Sequence, residues 1–369
     1  MNQLFRWDQT GLFLLALAAG ILPFAVPEVC AAALREGLTL CSGPLLLSLF
    51  PFLVVSRLLI QCPESDLLAL PFRLAAWGIG IRTPCAARVL CIGFLGGFAP
   101  AASAAAQAVR TGQLTAEEAD ALLPACICSG PSFVVLTVGQ SLLGSAELGV
   151  LLFASQITAN YLTAALLDRF AGVRSVKSGS AAPASPAPPR LDEILADAAI
   201  TYCKLCGFIL FFRMLAAGAG ALLPAGAGTL CSILLEVCSG CDLASRTGRW
   251  GSLLCCAALS VQGLSVLLQV RTICPPEMTL RPLYRARMLH LPLSLALFYL
   301  LLPGGEADVF STLPARVLLM RRVPPDCALL VFAVCCMAAC TLRSGVRQVE
   351  QKQMARNAGG CCINSKTLL

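Results

Sequence analysis

The sequence is poor in charge and nearly without histidine. Asp, Glu, Lys and Arg make up 13% of its 369 residues, and His290 is the single histidine; a soluble domain carries roughly one quarter charged residues. So little charge cannot cover a water-facing surface, which excludes an ordinary soluble domain and, with it, a nucleic-acid-binding one. Missing too are His-Glu-x-x-His, the phosphate-cradling Gly-x-x-x-x-Gly-Lys and the Gly-x-Ser-x-Gly elbow. Ser129-Gly130 and Ser239-Gly240 offer hydroxyls, but no base is placeable beside either. No catalytic residue is therefore assigned, and no cofactor or metal is expected. With one histidine among 21 cysteines, the Cys203-x-x-Cys206 and Cys238-x-x-Cys241 spacings read as chance, and most cysteines as small hydrophobes that pack like Ala or Ser.

What the chain has in abundance is apolar sequence, 57% of its residues. It comes in runs at 11–34, 39–60, 147–167, 196–217, 252–270, 288–302 and 327–342, each near the ~20 residues that cross a bilayer as helix. Backbone groups in hydrocarbon must be satisfied within the segment. The fold class expected is an all-α polytopic membrane protein. Arg6 ahead of the run from Gly11 suggests a leader peptide, but Pro23, Pro27 and Glu28 interrupt the region where cleavage would fall, so residues 1–38 read as a retained N-terminal membrane helix. The net charge of +7 collects in loops and at the end of the chain. Residues 171–190 carry Arg174, Lys177 and Arg190 with four prolines and no acid, and so form a flexible linker. Residues 343–369 form a basic tail after a membrane segment at 304–342. By the positive-inside trend, linker and tail both face the cytoplasm.

The linker separates halves at 39–170 and 191–303 in which three elements recur in order. An apolar helix with a lone arginine comes first, FPFLVVSRLLI with Arg57 and CGFILFFRMLA with Arg213. A segment broken by small residues follows, GFLGGFAPAAS (93–103) and LLEVCSGCD (234–242), and then a second interrupted segment, ICSGPSFVVLTVGQ (127–140) and VQGLSVLLQV (261–270). The halves are expected to be repeats with broken or re-entrant helices, although Gly and Pro are common in membrane helices generally. Gly112 as a helix C-cap and Thr115-x-x-Glu118 as a capping box put a water-exposed junction after 89–109, which makes that segment a re-entrant hairpin. If 222–243 and 252–270 both crossed fully, Arg271, Arg281, Arg285 and Arg287 would lie outside, so one of the two is re-entrant as well.

At these broken segments the sequence resembles the YlbJ family of sporulation integral membrane proteins, which carry nucleoside-recognition, or Gate, domains. The resemblance runs from about Ala31 to His290 through FPFLVVSRLLI, GFLGGFAPAAS with TGQLTAEEADALL, CSGPSF, LLEVCSG, VQGLSVLLQV and LYRARMLH. The chain departs from it at Phe98–Ala102, where a Tyr-Pro pair and Gly-Ala are expected, at Ala125–Cys128, where a polar stretch with Asn is expected, and at Gln262, where a glycine is expected. The resemblance implies two Gate-like halves in the cytoplasmic membrane of a spore-forming bacterium that bind or transport a small solute along a path less polar than that of the relatives. A non-transporting scaffold for spore-envelope assembly is the competing expectation. The partners implied are the lipid bilayer and an unnamed solute, with homo-oligomerisation left open.

Glu236 is the leading site candidate, because an acid in a membrane segment costs roughly 3 kcal/mol unless partnered. It is either a coupling carboxylate or half of a structural ion pair with Arg57 or Arg213. Gly96, Gly97, Pro100, Ser129, Gly130, Pro131 and Gly240 either turn the backbone at membrane depth to line a solute or ion path, or pack helices closely. Gln262 and Gln269, with Gln140, Gln156 and Asn160, line that path or tie helices together by hydrogen bonds.

Overall fold

The computed structural model describes residues 9–171 and 191–302, and no strand occurs among them. The linker from 172 onward, the membrane segment expected at 304–342 and the basic tail lie outside the described residues. The helices are α1 (Gln9–Ala25), α2 (Pro27–Ser42), α3 (Pro44–Gln61), α4 (Phe72–Gly78), α5 (Pro84–Gly96), α6 (Phe98–Arg110) and α7 (Ala116–Cys126), then a π-helix (Ser132–Leu142). They continue with α8 (Ala146–Ala171), α9 (Leu191–Leu222), α10 (Ala225–Leu235), α11 (Val237–Ser245), α12 (Gly251–Val261), α13 (Gly263–Ile273) and α14 (Arg281–Leu301). Among the described residues four stretches are long and apolar enough to cross a membrane: Pro27–Leu47, Ala146–Arg169, Leu191–Leu222 and Gly248–Ile273.

Residues 9–61 are cut differently from the expected spans at 11–34 and 39–60. Pro27 and Pro44 each open a helix at the first turn, where the missing N–H costs nothing. The preceding Val26 leaves the helical region (φ −139°, ψ 62°), as the steric conflict with a following proline favours, and the break falls there rather than after residue 34. Over its described residues, 9–38, the expected single helix is thus α1 and most of α2. At 32 residues and 1.5 Å per residue, α9 is about 48 Å long. It packs against α2, α3 and α10.

Four interruptions organise the rest. At Gly97 the backbone adopts φ 82°, ψ −163°, and α5 and α6 pack against one another on either side of it. At Glu236, which is extended, α10 folds back on α11, bringing Ile233 against Gly240 so closely that a Cβ on Gly240 would lie 2.8 Å from Ile233 Cα. The other two interruptions, at 127–131 between α7 and the π-helix and at Gln262-Gly263 between α12 and α13, separate helices that do not pack side by side in this way. Each side of the linker therefore carries one folded-back pair followed by one interrupted pair. In the second half the fold-back falls at 225–245 and not at 251–273.

Poly-small α6 explains how so much chain meets at the centre. Ala99, Ala101, Ala102, Ala104, Ala105, Ala106 and Ala108 are all buried, and their size lets neighbouring backbones approach. The junction before α7 has the expected capping box: Thr115 Oγ1 accepts from Glu118 N at 3.1 Å, and Glu118 Oε2 accepts from Thr115 N at 3.0 Å. It is less exposed than the sequence suggests. Glu118 and Asp120 are buried, with Glu118 bound by Thr83 Oγ1 at 2.6 Å and Asp120 by Thr279 N, Thr279 Oγ1 and Leu280 N. These carboxylates serve as acceptors that tie two distant turns to α7.

Candidate functional site

The interruptions meet in pairs. A Cβ on Gly97 would lie 2.7 Å from Gly130 N, and one on Gly263 (φ 69°) would lie 2.9 Å from Glu236 N. In each half, then, the fold-back touches the interrupted pair backbone to backbone through a glycine that no side chain can replace. Both contacts border one cavity of about 50 Å³, walled by Gly96, Phe98, Ser129, Gly130, Ser132, Phe133, Glu236, Val237, Cys238 and Gln269, with Leu45, Leu49, Ile209 and Val266 closing the remaining sides. A single water needs roughly 10–15 Å³, so this space takes a few waters or a small ion as it stands.

The first residues of α6, the π-helix and α11 all stand on this wall. Helix N-termini carry unpaired N–H groups and the positive end of the helix dipole. Glu236, the only acid on the wall among the described residues, answers one of them. Its Oε1 accepts from Cys238 N at 2.9 Å, and its Oε2 from Ser239 N at 2.7 Å and Ser239 Oγ at 2.9 Å. It is buried, 2% exposed, and its cover is the N-terminus of α11. Gln269 gives its Nε2 to Ser265 Oγ at 2.9 Å, leaving Oε1 buried without a partner.

The ion pairs suggested for Glu236 are replaced by others. Arg57 binds Asp197 at 2.5 Å and Arg213 binds Glu36 at 2.7 Å. The physical reason is that Glu236 has a sufficient partner in the two amides ahead of it, which come with the break itself. Of the remaining candidates, Gly96, Ser129, Gly130 and Gln269 join Glu236 on the cavity wall. Gly97 forms the contact behind it, Pro100 packs on Gly96, Pro131 precedes the π-helix, and Gly240 sits against Ile233. Gln262 is buried in the left-handed conformation (φ 62°) with both amide atoms unpartnered, and it is not on the wall. Gln140 is exposed rather than buried, and Gln156 bonds Cys256 O and Ser260 Oγ, tying helices together.

Arg287, grouped in the sequence with Arg271, Arg281 and Arg285 as charge at the membrane face, has a different place. Arg287 lies inside α14 and is buried; its Nη2 donates to Ile127 O and its Nη1 to Ser260 O at 3.4 Å. Those carbonyls belong to the ends of α7 and α12, the two helices left open at the interrupted pairs. One guanidinium thus closes both. The spacing of Arg287, His290 and Ser294 on one helical face carries the only sequence signal for this. Among the described residues no three His, Cys, Asp or Glu side chains group as metal ligands.

In comparisons with protein-family models, curated proteins and solved structures, nothing matches this chain.

Proposed function

We propose that the chain is a polytopic protein of the bacterial cytoplasmic membrane, of the sporulation YlbJ type with Gate architecture, and that it binds and moves a small solute through a site around Glu236. The observation that carries this is the meeting of both glycine-mediated break contacts on one cavity whose only acid among the described residues is Glu236. Broken helices that present their ends at mid-membrane are how repeat-built transporters bind solutes and ions. A membrane setting is supported by the four spanning-length apolar stretches and by Phe13 and Phe24 on α1 and Tyr299 and Leu300 on α14, which are more than 60% exposed and would drive association in water. In this reading α5–α6 enters and returns from the cytoplasmic side and α10–α11 from the outer side. Arg271, Arg281 and Arg285 then remain cytoplasmic, as the charge rule asks. Solute passage requires α11 or α6 to move, because the cavity is small.

The test separates charge from capping. Glu236→Gln keeps one carbonyl acceptor for α11 but removes the charge, whereas Ser239→Ala removes one bond to the carboxylate and keeps the charge. In a spore former that depends on this chain, Glu236→Gln should accumulate in the membrane and fail to support sporulation, with Ser239→Ala close to wild type. Normal sporulation with Glu236→Gln at normal abundance overturns the solute reading.

A scaffold for envelope assembly is the second reading, and one observation favours it: both carboxylate oxygens of Glu236 are already engaged by α11. A scaffold predicts that Glu236→Gln and Ser239→Ala fail together, through lost abundance.

A further inference from the structure

A second cavity lies at one end of the bundle, where the last turns of α3, α6 and α13 meet the first turns of α9. It has a volume of about 160 Å³ and is walled by Arg57, Arg110 and Lys204 against a single carboxylate, Asp197, with Ser103, Thr201 and Thr272 supplying hydroxyls. Three cations against one acid leave a net charge of +2. We propose that this cavity is an anion site that takes a phosphate-class group, either the headgroup of an anionic lipid or a free phosphorylated solute.

Arg57 is built into the wall, while Arg110 and Lys204 are exposed side chains at its rim. Arg57 is 8% exposed in the lower half of α3 and is oriented from two sides, by Asp197 at 2.5 Å and by Thr201 Oγ1 at 3.2 Å. Its Nε is buried with no partner. Each Nη carries two N–H groups and has one partner, Asp197 or Thr201, so a tetrahedral oxyanion in the cavity would take the donors that remain in the planar fork that Arg offers. Asp197, Thr201, Lys204 and Leu205 recur at the spacing of one helical face of α9, and Ser103, Ala106 and Arg110 at that of one face of α6, so both helices turn a consistent face to the cavity. Arg110 reaches only Ile273 O, at 3.5 Å, and neither Arg110 nor Lys204 has a carboxylate partner among the described residues. The cavity stands below the central one on the same helices: Leu45 and Leu49 precede Arg57 on α3, Phe98 precedes Ser103 on α6, and Ile209 follows Thr201 on α9. The plug of Leu53, Ala99, Tyr202 and Leu205 packs between these levels. Basic pockets between membrane helices at the cytoplasmic face are where anionic headgroups settle. The proposal needs no passage through the central cavity and stands if solute transport fails.

The bland account is that Arg110 and Lys204 only offset the carbonyl ends of α6 and α13. The two are separated with the full chain purified in neutral detergent, its unfolding temperature followed during titration with inorganic phosphate against chloride at equal ionic strength. In parallel, the chain is placed in nanodiscs of phosphatidylcholine with or without phosphatidylglycerol, and retained lipid is counted by native mass spectrometry. The site predicts a phosphate-specific upward shift or selective retention of phosphatidylglycerol. It predicts that Arg110→Gln with Lys204→Gln weakens that response by roughly tenfold or more, and that Asp197→Asn strengthens it by removing the competing charge. A phosphate shift without lipid selectivity assigns the site to a free solute, and lipid retention without a phosphate shift assigns it to the headgroup. Absence of both in the wild type, or a response indifferent to the Arg110 and Lys204 substitutions, overturns the proposal.

Discussion

Replacing Gly97 by alanine should open the centre of the molecule without touching a charge. The backbone there (φ 82°, ψ −163°) belongs to a region that is essentially glycine-only, and holding another residue in it costs about 1–3 kcal/mol. The new Cβ would lie 2.7 Å from Gly130 N and 3.0 Å from Gly130 Cα. Both are backbone atoms that cannot rotate away, so overpacking adds about 1–3 kcal/mol. The sum, roughly 2–6 kcal/mol, is a large share of a typical protein's stability of about 5–15 kcal/mol. Two other glycines calibrate it. Gly112 has φ 68° but nothing within 4 Å of a new Cβ, so alanine there should cost only the conformational strain, about 1–2 kcal/mol. Gly207, inside α9 with open space around it, should gain about 0.5–1 kcal/mol as alanine. The assay is thermal unfolding in mild detergent, read by reaction of a maleimide dye with buried thiols. Cys126 and Cys128, both 2% exposed, flank the Gly130 side of the contact. A Gly97→Ala protein no less stable than Gly112→Ala would refute the claim that these two breaks are in backbone contact.

Arg287→Met removes the donor shared by Ile127 O and Ser260 O and should lower stability by about 2 kcal/mol, the unsatisfied carbonyls outweighing the relief of burying no charge; dye labelling of Cys128 should accelerate before global unfolding, and unchanged labelling would refute the role. Thr115→Ala removes the capping hydroxyl from Glu118 N and should cost about 1 kcal/mol in the same assay.

The apolar runs made the helical class readable, and the positions of the breaks at Gly96-Gly97, Gly130-Pro131 and ahead of Gly240 were readable because glycine and proline disrupt a helix by known local sterics. What escaped was partnership. Glu236 invited an arginine because a carboxylate in an apolar run needs cover, yet its cover is the pair of amides created by its own break, which only the folded backbone provides. Arg287 counted as loop charge because LYRARMLH reads equally as a basic connection or a helix start. The start at Arg281 is set by Leu280 in a left-handed turn, bound through its N–H to Asp120 on α7. Long-range bonds of that kind leave no periodic trace. The recut at Val26 was available in principle from Pro27, but continuous hydrophobicity masked it.

In the proposed arrangement α5–α6 and α10–α11 each enter and return from one side of a membrane and meet at Glu236. Accessibility of introduced cysteines to a membrane-impermeant maleimide in intact cells and inverted vesicles tests it most directly. The exposed positions are Arg82 and Gly112, which bracket the first pair, and Leu223 and Thr247, which bracket the second. Arg82 and Gly112 should both label only from the cytoplasmic side and Leu223 and Thr247 only from outside, each judged against the labelling of the native cysteines. Labelling of the two ends of either pair from opposite sides would contradict the account.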